Sequence, residues 1–362
     1  MRIVILGLFG IWCLGFGASA WAQGQAGMDI AVLKAGVGAR PLGMGGAFTS
    51  VADNADAPYW NPAGLGMLDR NEITAMQTRL STDADHYYVS YIRPAFGGTL
   101  GLSWIQVGLG TITQTTTPDA NNEVQNLSIF SYFSNAYMLS YGKEFNPHFA
   151  FGLTVKYLTS DMYQIAGGQA EGYSITPGIL INFGKRGEPE EKDNKEAPKL
   201  PDISPYLRER RIAGPSFPVK EEITEPTPIK VIKSAKPKKS FIDGLALGIK
   251  CDELYNWQKW GTGTVEQVPA KLRIGLSYKS PNPGLFAVDV SQIMKAGYAP
   301  ELSAGYEWST KDGLSLRVGY NDGGLSAGAG FISGHTRLDY AYVTQRDLTR
   351  DNVHRIALTG IW

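Results

Sequence analysis

Two arrangements in this chain could carry chemistry by themselves. Gly324-Leu325-Ser326-Ala327-Gly328 has the Gly-x-Ser-x-Gly spacing of a nucleophile elbow, where a serine on a sharp strand-to-helix turn attacks an acyl carbon. That turn needs a helix after the serine, whereas small residues alternate on both sides here, as in a strand. A lipase built on a barrel would need Ser326 paired with a histidine across strands, and stands as the remote alternative. The histidines, His86, His148, His335 and His354, are scattered, with no His-Glu-x-x-His spacing and no cysteine pair. Neither a metal site nor a cofactor is expected. The glycines between Gly36 and Gly46 could cradle a phosphate, but no strand precedes them and their spacing is not that of a nucleotide loop. These residues argue against an enzyme.

The elements that would position any site begin with an export signal. Met1-Arg2 gives a positive start, Ile3 to Phe16 is apolar, and Ala20-Trp21-Ala22 places small residues just before Gln23. Residues 1–22 therefore read as a signal peptide. Its removal takes Cys13 and leaves Cys251 alone, so no intramolecular disulfide can staple the exported protein. Beyond residue 22 no run approaches the roughly 20 apolar residues of a membrane helix. A formal net charge of zero argues against a nucleic-acid partner.

Period two dominates the rest. Phe149, Phe151, Leu153, Val155 and Tyr157 alternate with Ala150, Gly152, Thr154 and Lys156. Leu272, Ile274, Leu276 and Tyr278 alternate with Arg273, Gly275, Ser277 and Lys279, and segments 302–308 and 314–321 behave likewise. One face is greasy and the other carries Gly, Ser, Arg and Lys, with Tyr or Trp near the strand ends. That is a wall between lipid and a polar lumen. Turn signals delimit strands near 71–80, 86–94, 99–107, 136–145, 148–159, 173–184, 241–251, 270–279, 285–293, 300–309, 313–321, 324–333, 335–343 and 353–362. The fold class is all-β: a transmembrane antiparallel β-barrel of about fourteen strands, its first half in 71–184 and its second in 241–362. With the N-terminus periplasmic, the tight turns at 94–98, 146–147, 281–284 and 310–313 share the periplasmic side. The longer connections 108–135, 160–172 and 252–269 then fall outside, as expected of an outer-membrane barrel embedded in lipid.

Three further features call for a role. Leu109, Ile112, Leu127, Ile129, Phe130 and Phe133 are too apolar for an idle outer connection and form the candidate ligand loop. Ile356, Leu358 and Trp362 share one face of the last strand, which resembles the C-terminal signal through which the barrel-assembly machinery recognises its substrates. Residues 185–240, dense in Pro, Lys and Glu, cannot bury enough apolar area to offset their ordering entropy. They are expected to be a disordered periplasmic insertion, open to a periplasmic partner.

The segment before the first strand, 23–70, is the most distinctive. A short helix is expected over Met28–Arg40, followed by Gly43-Met44-Gly45-Gly46-Ala47, Val51-Ala52-Asp53 and Trp60-Asn61-Pro62-Ala63-Gly64-Leu65. This series resembles the N-terminal region of the FadL-like outer-membrane barrels, and within them the PorV/PorQ branch. The resemblance covers about thirty residues and implies a hatch plugging a fourteen-stranded barrel, with Gly36, Gly38, Gly43, Gly45, Gly46, Asp53, Asn61, Pro62 and Ala63 in the hatch. It implies transport of hydrophobic compounds such as long-chain fatty acids. The alternative it implies is a PorV-like accessory of type IX secretion that handles exported proteins at the cell surface.

Overall fold

The computed structural model describes residues 31–80, 84–118, 122–184, 241–281, 283–322, 324–344 and 352–362. The expected signal peptide, 1–22, and the expected insertion, 185–240, lie outside these residues.

Alternation of bulky apolar with small or polar residues gives antiparallel strands joined by tight turns. At the first such turn Phe96 and Gly97 both take positive φ, 55° and 71°, between the paired Ala95 and Gly98. This is the backbone that a two-residue hairpin requires. The strands are β1 (Glu72–Arg79), β2 (Asp85–Ala95), β3 (Gly98–Thr115), β4 (Asn126–Asn146), β5 (Phe149–Tyr163), β6 (Gln169–Asn182), β7 (Leu245–Asp252), β8 (Tyr255–Trp260), β9 (Val265–Glu266), β10 (Lys271–Lys279), β11 (Leu285–Ile293), β12 (Glu301–Ser309), β13 (Leu314–Asn321), β14 (Gly324–Ser333), β15 (Thr336–Val343) and β16 (Val353–Ile361). Neighbours in sequence pair antiparallel, β7 pairs with β10, and β1 pairs with β16. The ring therefore closes through fourteen staves, β1–β7 and β10–β16, while β8 extends the seventh stave upward and β9 pairs antiparallel beside β8.

Burial is inverted relative to a water-soluble protein. The exposed face carries Ile73, Leu102, Leu139, Phe151, Leu153, Val288, Leu316, Val318 and Leu358, whereas Thr74, Ser90, Ser140, Thr154, Lys156, Lys250, Glu307 and Arg317 are buried. A greasy outside around a polar inside is the arrangement that lipid stabilises. No helix among the described residues is long and apolar enough to cross a membrane.

Two levels of the outer face locate the edge of the apolar band. Trp104, Tyr137, Tyr157, Tyr173 and Trp257 lie in register on β3, β4, β5, β6 and β8. Their tyrosine rings and Trp257 follow one another at centroid distances of 6.3, 5.1 and 5.7 Å. Two residues higher, Gln106, Asn135, Thr159, Glu171 and Lys259 form an equally continuous polar row. Two residues lower stand Leu102, Leu139, Val155 and Ile175. Aliphatic, aromatic and polar follow in order, as at a lipid–water interface.

The rim above the polar row is lopsided. β3 and β4 run for 18 and 21 residues, against 8 to 10 for each of β10–β16. This corrects the expectation of a loop over 108–135: most of it is strand, with β3 reaching Thr115 and β4 starting at Asn126. Both faces of that ribbon leave the lipid, so its sequence loses the alternation by which the lower strands are recognised. The 252–269 connection likewise contains β8 and β9. The break between β7 and β8 is a two-residue insertion, since Lys250 and Asn256 are six residues apart but face Gly178 and Ser174, four apart. Glu253 takes φ 54° there, so the consecutive carboxylates of Asp252 and Glu253 are both buried.

Candidate functional site: the lumenal segment and its seat

Residues 31–68 lie inside the ring. The single helix expected over 28–40 is two short ones, α1 (Ala31–Lys34) and α2 (Ala39–Gly43), because Gly36 and Gly38 between them take φ of 66° and 78°. A third short helix, α3 (Ala57–Trp60), leads into a 3-10 turn, Pro62–Met67. α2 packs on β13–β16 and the 3-10 turn on β3–β6, opposite arcs of the wall. Met44, Phe48, Trp60 and Leu65 form the apolar centre with Tyr88, Ile92, Ile105 and Leu158 from the wall.

Polar side chains of the wall grip the segment's backbone. Asp289 Oδ2 accepts the N–H groups of Phe48 and Thr49 at 3.0 and 2.9 Å. Ser326 Oγ accepts from Gly45 N at 3.0 Å and donates to Gly43 O at 3.2 Å. Thr154 donates to Pro58 O, Tyr88 to Ala55 O and Lys250 to Tyr59 O, while Glu72 accepts from Ala55 N. The segment answers with Asn61, whose Nδ2 donates to its own Thr49 O at 2.7 Å and to Ile179 O of β6 at 3.0 Å, while its Oδ1 accepts from Ala63 N. Asn61 therefore does more than mark a turn.

Charge fastens both sides of the seat. Arg40 is paired with Asp53 of the segment and with Glu307 of β12, and Glu307 also accepts from Arg317, which meets Asp339. Across the lumen, Asp252 is bridged to Lys250 and Arg273 at 2.5 and 2.8 Å, and Glu253 to Lys156 at 2.5 Å. Lys250 and Arg273 stand over the rings of Tyr59 and Trp60 at 5.1 and 5.9 Å. Within the segment, burial pushes the Asp56 carboxyl up to about 6, against the opposing pull of Arg337 and a hydrogen bond from Asn54.

The wall glycines explain how closely the backbones meet. A Cβ at Gly152 would strike Pro62, at Gly178 Asn61, at Gly248 Thr49, and at Gly319 Gly45. Glycine on the inward face of these strands is the seat itself.

Of the residues proposed from sequence for the hatch, Gly43, Gly45, Asp53, Asn61, Pro62 and Ala63 take part in these contacts. Gly46 lies beneath the Trp60 ring, Gly38 against Asp56, and Gly36 offers its carbonyl to Arg355. The six apolar residues of the candidate ligand loop stand elsewhere: Leu109 and Ile112 on β3, Leu127, Ile129, Phe130 and Phe133 on β4. Leu127 and Ile129 are well exposed. Ile356 and Leu358 face outward on β16, and Trp362 stacks on Tyr91 at 6.1 Å. The wall's share of the grip, Asp289, Glu307, Lys250 and Ser326, was not singled out as such from sequence. Charged or hydroxyl residues on the minor face of a strand were its only signal. Ser326 lies within a strand, held by the segment's backbone, and not on an elbow. Among the described residues no group of three or more His, Cys, Asp or Glu could hold a metal.

No family model matches the chain, nor does any curated protein. Solved structures do. The Pseudomonas putida toluene transporter TodX superposes with a TM-score of 0.55 at 12% identity, covering 90% of this chain and 97% of that one. A mutant TodX, described as a monoaromatic hydrocarbon channel, gives 0.55 at 13% over 90% and 98%. The Ralstonia pickettii toluene transporter TbuX gives 0.50 at 11% over 90% and 97%. The chain has the fold of these barrels. At such identities the likeness speaks for the architecture, nearly end to end, and the work of the lumen has to be argued from its own residues.

Proposed function

We propose that the protein is an outer-membrane channel for hydrophobic compounds, of the FadL type, with residues 31–68 as its hatch. The observation that carries this reading is a lumen filled by a separate N-terminal segment, inside a wall whose outer face is apolar. A permanently open porin would leave its lumen to water, and a purely structural barrel would have no use for a plug gripped by polar side chains of the wall and seated against its glycines. Beside its apolar centre, the hatch is fixed by hydrogen bonds and ion pairs, and hydrogen bonds can be exchanged for others at modest net cost. The exposed apolar residues Leu127, Ile129 and Phe133 on the β3–β4 ribbon offer a first surface for a greasy ligand, at about 0.8 kcal/mol per buried CH₂. The hydrocarbon channels of the same fold support this substrate class.

The test is uptake. Radiolabelled toluene and a radiolabelled long-chain fatty acid are offered to the source bacterium with and without this gene, and its surface and medium proteins are quantified in parallel. Slower uptake of either compound in the deletion strain, with exported proteins level, is the expected result. Unchanged uptake together with loss of a set of exported proteins would overturn it in favour of a secretion accessory.

A further inference from the structure

A groove on the outer face of the wall has no part in holding the lumenal segment. It crosses β2–β6 and measures about 530 Å³, within the range of about 300–1,000 Å³ usual for sites that take a small molecule. Val89, Leu102, Tyr137, Leu139, Val155 and Tyr173 line it, and all six are exposed. At its level β2, β3, β4 and β5 pair residue by residue without a break, so the groove opens to lipid and not to the lumen.

Its depth is set by the aromatic row, since Trp104, Tyr137, Tyr157 and Tyr173 all belong to its lining. The polar row passes above it, two residues or roughly 7 Å farther up each strand. Over β3, β4 and β5 that row is uncharged, formed by Gln106, Asn135 and Thr159. Charge begins on β6 and β8, where Glu171 and Lys259 face each other. Asn135 Oδ1 accepts from Trp104 Nε1 at 3.2 Å and from Gln106 Nε2 at 2.9 Å, while its Nδ2 donates to Thr159 Oγ1 at 3.4 Å. These bonds fix both amides. Among the described residues they leave one acceptor and one donor without a partner, Gln106 Oε1 and the Thr159 O–H.

An apolar chain in the groove would bring its point of attachment to this level. An ester linkage offers acceptors alone and leaves Gln106 unanswered. An amide linkage offers an N–H to Gln106 Oε1 as well, and a carbonyl or a hydroxyl on the chain takes the Thr159 O–H. With no cation over β3–β5, recognition falls to the linkage and not to a phosphate. We infer that the β2–β6 groove is a binding site for an amide-linked hydroxyacyl chain of the outer-leaflet glycolipid. The inference rests on the outer-membrane placement in the reading above and is independent of what the lumen passes.

Native mass spectrometry of the full-length protein, released from detergent micelles, provides the test. Two neutral single-chain probes are offered at equal mole fraction, N-(3-hydroxytetradecanoyl)glucosamine and 6-O-tetradecanoylglucose. The first is expected to be retained at least fivefold over the second. Gln106→Leu and Thr159→Val should each cut that preference several-fold, and Leu102→Trp, which fills the groove, should lower retention of both probes. All three side chains lie on the outer face, where a change leaves the packed lumen alone. Equal retention of the two probes, retention of neither, or a preference that survives both polar substitutions would overturn the inference. So would a mass of two chains without either probe, which would put a second copy on the groove. Sucrose-gradient fractionation of the source cells runs alongside. A chain found outside the outer-membrane fraction would sink the placement itself, whereas a chain in that fraction without the preference sinks the site alone.

Discussion

Arg40 in the lumenal segment and Glu307 on β12 form a bidentate ion pair, Nε to Oε2 at 2.8 Å and Nη2 to Oε1 at 2.9 Å. The two are 267 residues apart, and Glu307 accepts a further bond from Arg317 at 2.6 Å. Removing one member of a buried pair leaves the other's charge uncompensated. Arg40→Ala is expected to cost about 3 kcal/mol, read as a lower urea midpoint in liposomes. The double variant with Glu307→Gln should lose less than the sum of the single changes, because the two residues share one network. Additive losses would show that the segment is not anchored through this pair.

Gly152 and Gly178 touch the segment with backbone alone. Replacing either by alanine puts a methyl group where Pro62 or Asn61 now lies, and in each case rigid atoms or a fully engaged amide must move. The expected outcome is a displaced segment in an intact ring. Limited proteolysis should cut within 31–68 much faster, and planar-bilayer conductance should rise. Gly110, whose Cβ would meet nothing, is the control.

Asp56 sets a pH dependence. Its folded pKa, about 6, lies above the ordinary carboxylate value near 3.8, so the folded state holds the proton more tightly than the unfolded chain does. The resulting stability is fully present below about pH 4 and is lost as pH rises through 6, a difference of about 3 kcal/mol. Asp56→Asn should remove that slope. Unfolding curves for both proteins at pH 4, 5, 6 and 7 check it, and parallel pH profiles would refute it.

Depth governs what a charge costs on the outer face. Leu153 and Thr159 both face outward on β5, the first below the aromatic row and the second in the polar row. Leu153→Lys is expected to cost about 2–4 kcal/mol and Thr159→Lys less than about 1 kcal/mol. Equal costs in liposome unfolding would mean that the interface has been set at the wrong level.

The lower staves were legible in the sequence because lipid on one side and a polar lumen on the other force strict alternation, as Phe149–Tyr157 shows. Positions 71–80 and 353–362, expected as the first and last strands, proved to be the two that meet and close the ring. What stayed hidden depends on distance along the chain. Nothing local says that Arg40 will meet Glu307, or that Gly178 is small because Asn61 must pass. The upper ribbon of β3 and β4 was missed for a different reason. It borders neither lipid nor lumen, and Thr111–Thr115 reads as polar loop. The inward Glu253 was obscured by the two-residue insertion that shifts the faces of the strand around it.

Closing a sheet into a ring removes every free edge, and here the ribbon restores one. Above Gly108, the last β3 residue paired with β2, and Ser131, the first β4 residue paired with β5, β3 and β4 have only each other. Among the described residues no neighbouring strand pairs with their outward edges. The molecule thus carries at its summit two strand edges of the kind that closure removes everywhere lower in the ring. The exposed Leu127, Ile129 and Val124 lie along them. Whatever approaches from that side meets open hydrogen-bonding capacity well before it meets the mouth of the barrel.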